Sequence, residues 1–191
     1  MEHLTLRVIR DEHAALEAML RSLLLLLAQH RRQGSTPDFS VLRAMLFYID
    51  EFPERLHHAK ETRLLFPRLR MRSNKANKVL DRLDREHASG ERAIRDLEHA
   101  LLAFEVMGET RRDAFEDEAK QYVEFYLAHM RTEEQEILPL AREVLLHEDW
   151  TLLDAAFSLN RDPLTGHPPA DEYRALFTRI VNLVPAPLGL G

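Results

Sequence analysis

The sequence predicts an all-α protein: an antiparallel up-down four-helix bundle followed by a C-terminal extension. Apolar residues recur at steps of three and four, only six of the 191 residues are glycine, and the alternation typical of strands is missing. Four such amphipathic segments follow one another with short connections, which is typical of an antiparallel bundle. We expect the bundle to cover residues 1–148 and the extension to cover residues 149–191.

Each predicted bundle helix carries one apolar stripe. The stripes cover residues 6–27, 42–64, 80–104 and 122–140, and the first ends before RRQGSTPDFS, a loop by composition. In the extension, two short apolar segments flank a Pro/Gly-rich loop. This pattern predicts one or two short helices that dock on the bundle, and then a coil end.

Pro53 lies within the second stripe, one turn before His57. A proline inside a helix removes one hydrogen bond and bends the helix axis. Two interpretations follow: either the helix restarts after Pro53, or a kink at Pro53 aims His57 and Glu61.

Composition excludes several classes of function. Without cysteine the chain has no disulfide, thiolate metal site or cysteine nucleophile. The net charge is −6 and Lys and Arg are spread along the chain, so nothing predicts a basic face for nucleic acid or an anionic membrane. The N-terminus lacks the apolar core of a secretory signal, and LLLLL at residues 23–27 is far shorter than the ~20 residues that cross a bilayer. We therefore expect a cytoplasmic protein.

Four of the ten histidines belong to an internal repeat. EHAALE at residues 12–17 matches EHASGE at 86–91, and HHAKETRLLFP at 57–67 matches HMRTEEQEILP at 129–139. Each half of the chain thus has one helix with a single inward histidine and one helix with a His-x3-Glu motif. Residues four apart lie on one face of a helix, so each motif can aim an imidazole and a carboxylate at one point.

The repeat predicts a metal site in the bundle core. A buried carboxylate without a partner is costly, so glutamates on apolar stripes need compensation. Four nitrogens and two carboxylates suit two divalent metals that the carboxylates bridge, and these ligands favour iron, manganese or zinc. The six predicted ligands are His13, His57, Glu61, His87, His129 and Glu133.

Two further residues are candidate ligands. Glu91 stands four residues after His87 but is rotated sideways, and Arg95 offers it an ordinary ion pair. His58 lies one residue off the apolar stripe, so it is a ligand, an outer partner of a ligand, or a solvent-facing residue. Gly90 lies on the stripe and either permits close helix packing or leaves a pocket beside the metals.

Together these motifs resemble the hemerythrin-like (HHE cation-binding) family. The resemblance covers roughly residues 4–146 and rests on RDEH at His13, LHHAKETRLLFPRL at His57, REH at His87 and HMRTEEQEILPLA at His129. The chain looks like a bacterial stand-alone member. The resemblance implies a non-haem centre of two iron ions (Fe²⁺/Fe³⁺), which an oxo or hydroxo group can bridge, and a small ligand such as O2, NO or peroxide. The six predicted ligands match the family's ligand positions.

The chain departs from the oxygen-carrying members of that family at one ligand. Those carriers hold their irons with five histidines, two of which form a His-x3-His motif on the third helix. Here Glu91 stands at the second position of that motif. The fifth nitrogen is therefore missing unless His58 replaces it.

Three hypotheses of function follow. The first is a di-iron protein, monomer or homodimer, that binds or reacts with O2, peroxide or NO in sensing, scavenging or iron handling. The second is a ferritin-like oxidase or peroxidase. Its Glu-x2-His motif occurs at Glu54 but Tyr126 replaces the second glutamate, and Tyr122 and Tyr126 would then be candidates for electron transfer. The third is a zinc-bearing structural bundle, because zinc fits the same ligands without redox chemistry.

Overall fold

The computed structural model describes residues 2–183, without the side chains at 172, 179 and 181–183, so the predicted coil end lies outside the described residues. The described part contains helices and no strand, which confirms the all-α class. Its longer helices are α1 (Leu4–Gln33), α2 (residues 39–72), α3 (Asn77–Met107), α4 (residues 112–144), α5 (His147–Phe157) and α6 (Arg174–Leu183). Short 3₁₀ turns cover Gly108–Arg111, Pro163–Thr165 and Asp171–Tyr173.

Capping interactions mark the end of α1 and the beginning of α2. After α1, Gly34 adopts a φ of 59° and its N–H donates to the carbonyl of Arg31. Glycine takes this left-handed conformation without a steric penalty, which makes it a common helix terminator. Before α2, the Asp38 carboxylate accepts a hydrogen bond from the backbone N–H of Ser40 at 2.8 Å. That cap satisfies a donor that the first helical turn leaves unpaired.

Helices α2 and α4 are continuous, but they are wound more loosely near their prolines. In α2, π-helical turns cover Asp50–His57 and Glu61–Leu65, and in α4 one covers Glu133–Ile137. A proline lacks the N–H that an α-helical turn needs, and a wider turn tolerates its absence. The prolines in or just after these turns are Pro53, Pro67 and Pro139. The helix therefore does not restart at Pro53.

A polar layer separates two apolar clusters inside the bundle. One cluster consists of residues from the N-terminal parts of α1 and α3 and from the C-terminal parts of α2 and α4. Its members include Leu6, Leu69, Leu80 and Ile137. The other cluster consists of residues from the opposite ends of the same four helices. An up-and-down bundle predicts this alternation of starts and ends. The predicted ligands lie between the two clusters on all four helices.

The extension contacts the bundle through both of its helices. Three α5 residues join the first apolar cluster and two α6 residues join the second: Trp150, Leu153, Phe157, Phe177 and Ile180. Polar contacts add to this packing, because Thr5 N–H donates to Asp154 at 2.8 Å and the Tyr48 hydroxyl donates to Asp162 at 2.7 Å. None of the described helices is long and apolar enough to cross a membrane.

Candidate metal centre

The structure brings all six predicted ligands together in the polar layer. Both glutamates are completely buried, and none of the four histidines is more than 7% exposed. The Nε2 atoms of His13 and His57 lie 3.2 Å apart, and those of His87 and His129 lie 3.0 Å apart. The lone histidine of each half of the chain therefore faces the motif histidine of the same half.

Two neighbouring sets of side chains could each hold a metal ion. Within each set, the potential ligand atoms lie within 4.8 Å of one another. The first set, the His13 group, consists of His13, His57, Glu61 and Glu133. The second set, the His58 group, consists of His58, His87 and His129.

The two carboxylates lie between these groups. Oε2 of Glu61 is 3.3 Å from Nε2 of His57 and 3.7 Å from Nε2 of His87. Glu133 likewise lies 3.3 Å from one histidine of each group. Each carboxylate could therefore serve both groups at once.

Among the described residues, no group forms a hydrogen bond with the carboxylates of Glu61 and Glu133, although histidine Nε2 atoms lie 3.3–3.7 Å away. All four of their oxygen atoms are buried, and none accepts a hydrogen bond. Buried polar atoms are nearly always hydrogen-bonded, because an unpaired one costs free energy. A bound cation would satisfy these oxygens, so the residues present fit a metal site.

Nδ1 of each of the five buried histidines lies within hydrogen-bond distance of an outer partner, and four of these partners are carboxylates, which accept its N–H. Such a bond fixes the tautomer and leaves Nε2 free for a metal, and metal-binding histidines are usually held in this way. The pairs are His13 with Glu134 (3.1 Å), His57 with Glu12 (2.7 Å), His58 with Glu54 (3.1 Å), His87 with Thr62 (2.7 Å) and His129 with Glu86 (2.8 Å).

Four of these outer partners follow the sequence repeat. Glu12 and Glu86 directly precede the lone histidine of each half and hold the motif histidine of the same half. Thr62 and Glu134 directly follow the motif glutamate and hold the lone histidine of the other half. Sequence reasoning missed all four. The repeated Glu-His dipeptide is the signal that could have found Glu12 and Glu86.

His58 belongs to the cluster, whereas Glu91 does not. His58 is 3% exposed, and its ring stacks on that of His87 with centroids 4.3 Å apart. The interpretation of His58 as a solvent-facing residue is therefore wrong. The side chain of Glu91 is 61% exposed and faces Arg95 at 3.9 Å, as an ordinary surface ion pair does. None of the other five histidines is buried.

Glu54, the outer partner of His58, is itself held by two buried phenols. The hydroxyl of Tyr122 donates to it at 3.0 Å, and that of Tyr126 donates to the same oxygen. Gly90 makes room for this arrangement, because a Cβ there would overlap the Tyr126 hydroxyl and lie 2.8 Å from Glu54. Gly90 thus permits close packing and does not open a pocket. With both oxygens engaged, Glu54 supports His58 and is not placed as the ligand that a ferritin-like motif would supply.

The pKa values follow from burial and from the neighbouring charges. Burial lowers the pKa of His58 well below its ordinary value, and the nearby rings of His87 and His129 lower it further. Burial would also lower the pKa of His129, but Glu133 and Glu86 raise it to about 10. Burial acts to raise the pKa of Glu133, yet the surrounding histidines hold it well below its usual range. An ionised carboxylate and a neutral His58 are the forms that bind metal ions.

A cleft of about 400 Å³ beside α2 and α3 leads to the cluster. Its walls include Glu54, His58, Thr62, His87 and Glu91. Two residues of the cluster therefore line a cavity that a small molecule could enter.

The core of this helical bundle carries five buried histidines and two carboxylates shared between them, a set of side chains that could hold metal ions. The hemerythrin HHE cation-binding domain matches residues 4–141 of this chain, which is most of its length. The chain belongs to this family, as the resemblance of its motifs predicted. No curated protein matches it.

Proposed function

We propose that the protein binds two iron ions in the polar layer and that O2, NO or peroxide binds or reacts there, in sensing, scavenging or iron handling in the cytoplasm. The main support is the pair of orphaned carboxylates, Glu61 and Glu133, each of which lies between histidines of both groups. Two adjacent iron ions would supply a redox-active centre that takes up a small ligand.

The donor sets of the two groups are unequal. His13 and His57 would give two nitrogens to one metal, whereas His58 and its two partners would give three nitrogens to the other. Glu61 and Glu133 would be shared. His58 would thus supply the fifth nitrogen in place of the residue at position 91. A metal with fewer protein ligands keeps a position open for substrate, so we assign the small ligand to the His13 group.

The surrounding residues control access to the site. The apolar clusters on either side of the polar layer exclude bulk water. The cleft opens beside His58 and His87, so a small molecule that enters it must pass the His58 group to reach the neighbouring His13 group. The outer carboxylates keep a proton on Nδ1 of their histidines, so that Nε2 remains available as a metal ligand.

An oxidase or peroxidase is the second candidate function. It is favoured by the position of Tyr126, whose ring lies parallel to that of His58 with centroids 5.6 Å apart. A buried phenol beside His58 could donate an electron to metal ions held there while its proton passes to the Glu54 carboxylate that it hydrogen-bonds. Peroxide turnover well above that of the metal-free protein, and its loss in Tyr126→Phe, would support this function.

Elemental analysis of protein purified without oxygen tests the proposal. We expect two iron ions per chain, and absorption changes on adding O2, azide or NO. Zinc without such absorption would replace the proposal by a structural zinc bundle, and a sample without any transition metal would overturn it.

The variant His58→Ala tests the assignment of the fifth nitrogen. We expect it to bind one of the two metals at least ~10-fold more weakly, by the usual cost of disturbing a metal site. The matched control Glu91→Ala should keep the wild-type affinity for both metals, because Glu91 is exposed and paired with Arg95. Equal affinities in His58→Ala and the wild type would contradict the assignment.

A further inference from the structure

We propose that the C-terminal extension is a working part of the metal site. Asn160 donates a hydrogen bond to Glu12, and Glu12 accepts one from His57. Metal binding at the His13 group and docking of the extension therefore stabilise each other. This inference rests on the proposed function, and it assigns to the extension a role in that site.

One connection between the extension and the metal site runs through a carboxylate oxygen of Glu12. Asn160 follows α5 and is buried, at 6% exposed. Its Nδ2 donates to Oε2 of Glu12 at 2.9 Å, and the same oxygen accepts the Nδ1–H of His57 at 2.7 Å. A residue of the extension is thus two hydrogen bonds away from a proposed metal ligand.

Lys60 determines which end of the Asn160 amide faces Glu12. Its ammonium donates to Oδ1 of Asn160 and to the carbonyl of Ala156 at 2.9 Å. An ammonium only donates and an ionised carboxylate only accepts, so the two charged groups fix the orientation of the amide. Lys60 stands three residues after His57 on the same helix. The two ends of the Asn160 amide therefore contact two bundle residues, Glu12 and Lys60, and Lys60 belongs to the metal-binding turn of α2.

In the other half of the bundle, the corresponding carboxylate is supported from its own helix. Glu86 faces Arg82, four residues earlier on α3, at 3.6 Å, and its side chain is 23% exposed. The side chain of Glu12 is only 9% exposed. The contact from the extension thus strengthens the His13 group, which has the fewer nitrogen donors.

The reasoning predicts a thermodynamic coupling. Loss of an outer partner typically weakens metal binding 10–100-fold, because the histidine is no longer held in its binding orientation. Asn160 positions such a partner, Glu12, and does not contact the histidine itself, so we expect an effect at the lower end of that range. Coupling between two binding events is reciprocal, so whatever Asn160 adds to metal affinity, the metal adds to docking of the extension. Tyr48 anchors the same loop independently, through Asp162 at 2.7 Å. A variant at Asn160 therefore keeps another anchor for the extension.

Titration of the full chain with Co²⁺ against a chelator tests the first half of the inference. We expect Asn160→Ala to bind one of the two Co²⁺ ions about 10-fold more weakly than the wild type. The matched control is Ser158→Ala, which removes a hydrogen bond to the Ala155 carbonyl within the extension. It should bind Co²⁺ as the wild type does. Wild-type affinity of Asn160→Ala for both ions would overturn the inference.

Amide hydrogen exchange tests the second half. In the wild type, we expect Co²⁺ to slow exchange in residues 147–162, and this slowing should shrink in Asn160→Ala. Equal exchange of the wild-type extension with and without Co²⁺ would overturn the coupling, even if the variant binds metal poorly because it folds poorly. A wild type that takes up no Co²⁺ would overturn the proposed function and this inference together, whereas unchanged binding in Asn160→Ala would overturn this inference alone.

Discussion

The substitution Gly90→Ala tests whether the helices pack closely around Glu54, the outer partner of His58. A Cβ at position 90 would overlap the Tyr126 hydroxyl and lie 2.8 and 2.9 Å from the Glu54 oxygens, whereas ordinary contact begins at 3.4 Å. The Tyr126 ring cannot easily retreat, because it packs against Phe125 and His58 with centroids 5.0 and 5.6 Å away. The methyl group must therefore displace the hydroxyl, the carboxylate or both.

Opposing contributions determine the size of the effect. Alanine stabilises a helix by ~1 kcal/mol relative to glycine. Overfilling a packed core costs ~1–3 kcal/mol, and losing a hydrogen bond to a charged group costs ~1.5–3 kcal/mol. We expect a net loss of about 2–4 kcal/mol in the free energy of unfolding. In a chain of this size, that loss lowers Tm by about 5–15 °C.

Thermal unfolding of four proteins would measure this effect: wild type, Gly90→Ala, Tyr126→Phe and the double variant. Without the hydroxyl, the new methyl group has more room, so Gly90→Ala should cost less in the Tyr126→Phe background. The exposed neighbour Ser89 provides a control, because Ser89→Ala should change the free energy of unfolding by no more than ~0.5 kcal/mol. A Gly90→Ala variant as stable as the wild type, or more stable as helix propensity alone predicts, would refute the reasoning.

Two further predictions concern the histidines. In the metal-free folded protein, burial alone would lower the pKa of His129, but Glu133 and Glu86 raise it from 6.5 to about 10. Protonation of His129 therefore stabilises the fold fully below about pH 6.5, and this stabilisation is lost as the pH rises to 10. Melts in EDTA should show a Tm that falls over that range, and a rising Tm would contradict the prediction. Thr62→Val removes the hydroxyl that hydrogen-bonds Nδ1 of His87, with little change of shape, and should weaken Co²⁺ binding ~10-fold, measured by chelator competition. An unchanged affinity would show that the Thr62 contact does not orient His87.

Helical periodicity was sufficient to predict the fold class and the layer in which the polar side chains meet. Each stripe places one histidine between two apolar runs, and the repeat places the four histidines at the same level along the bundle axis. The sideways position of Glu91 also followed from the helix geometry, since Gly90 occupies the inward position before it. These features depend on residues that are close in sequence, and for that reason they could be read from the chain.

The position of His58 could not be derived in this way. An α-helical projection assumes a constant rotation per residue, but the turn Asp50–His57 is π-helical and holds more residues per turn. Neighbouring residues of the wider turn are therefore rotated less about the helix axis than an α-helical projection assumes, and both His57 and His58 reach the cluster. Asn160 lay beyond prediction for a different reason: its contact with Glu12 spans 148 residues, and no local pattern marks it.

The first half of the metal layer has one histidine that the second half lacks, and this difference would make the two donor sets unequal. His58 follows the motif histidine of the first half, whereas Met130 stands at that place in the second half, within an apolar cluster. Four residues earlier, the first half has Glu54 and the second has Tyr126. Tyr126 thus stands where a symmetric second half would have a glutamate, and its hydroxyl donates a hydrogen bond to Glu54 of the first half. A symmetric bundle would give both metals equal ligands. This exchange would give three nitrogens to one metal position and two to the other, and the position with fewer protein ligands would be the one that keeps room for a small ligand.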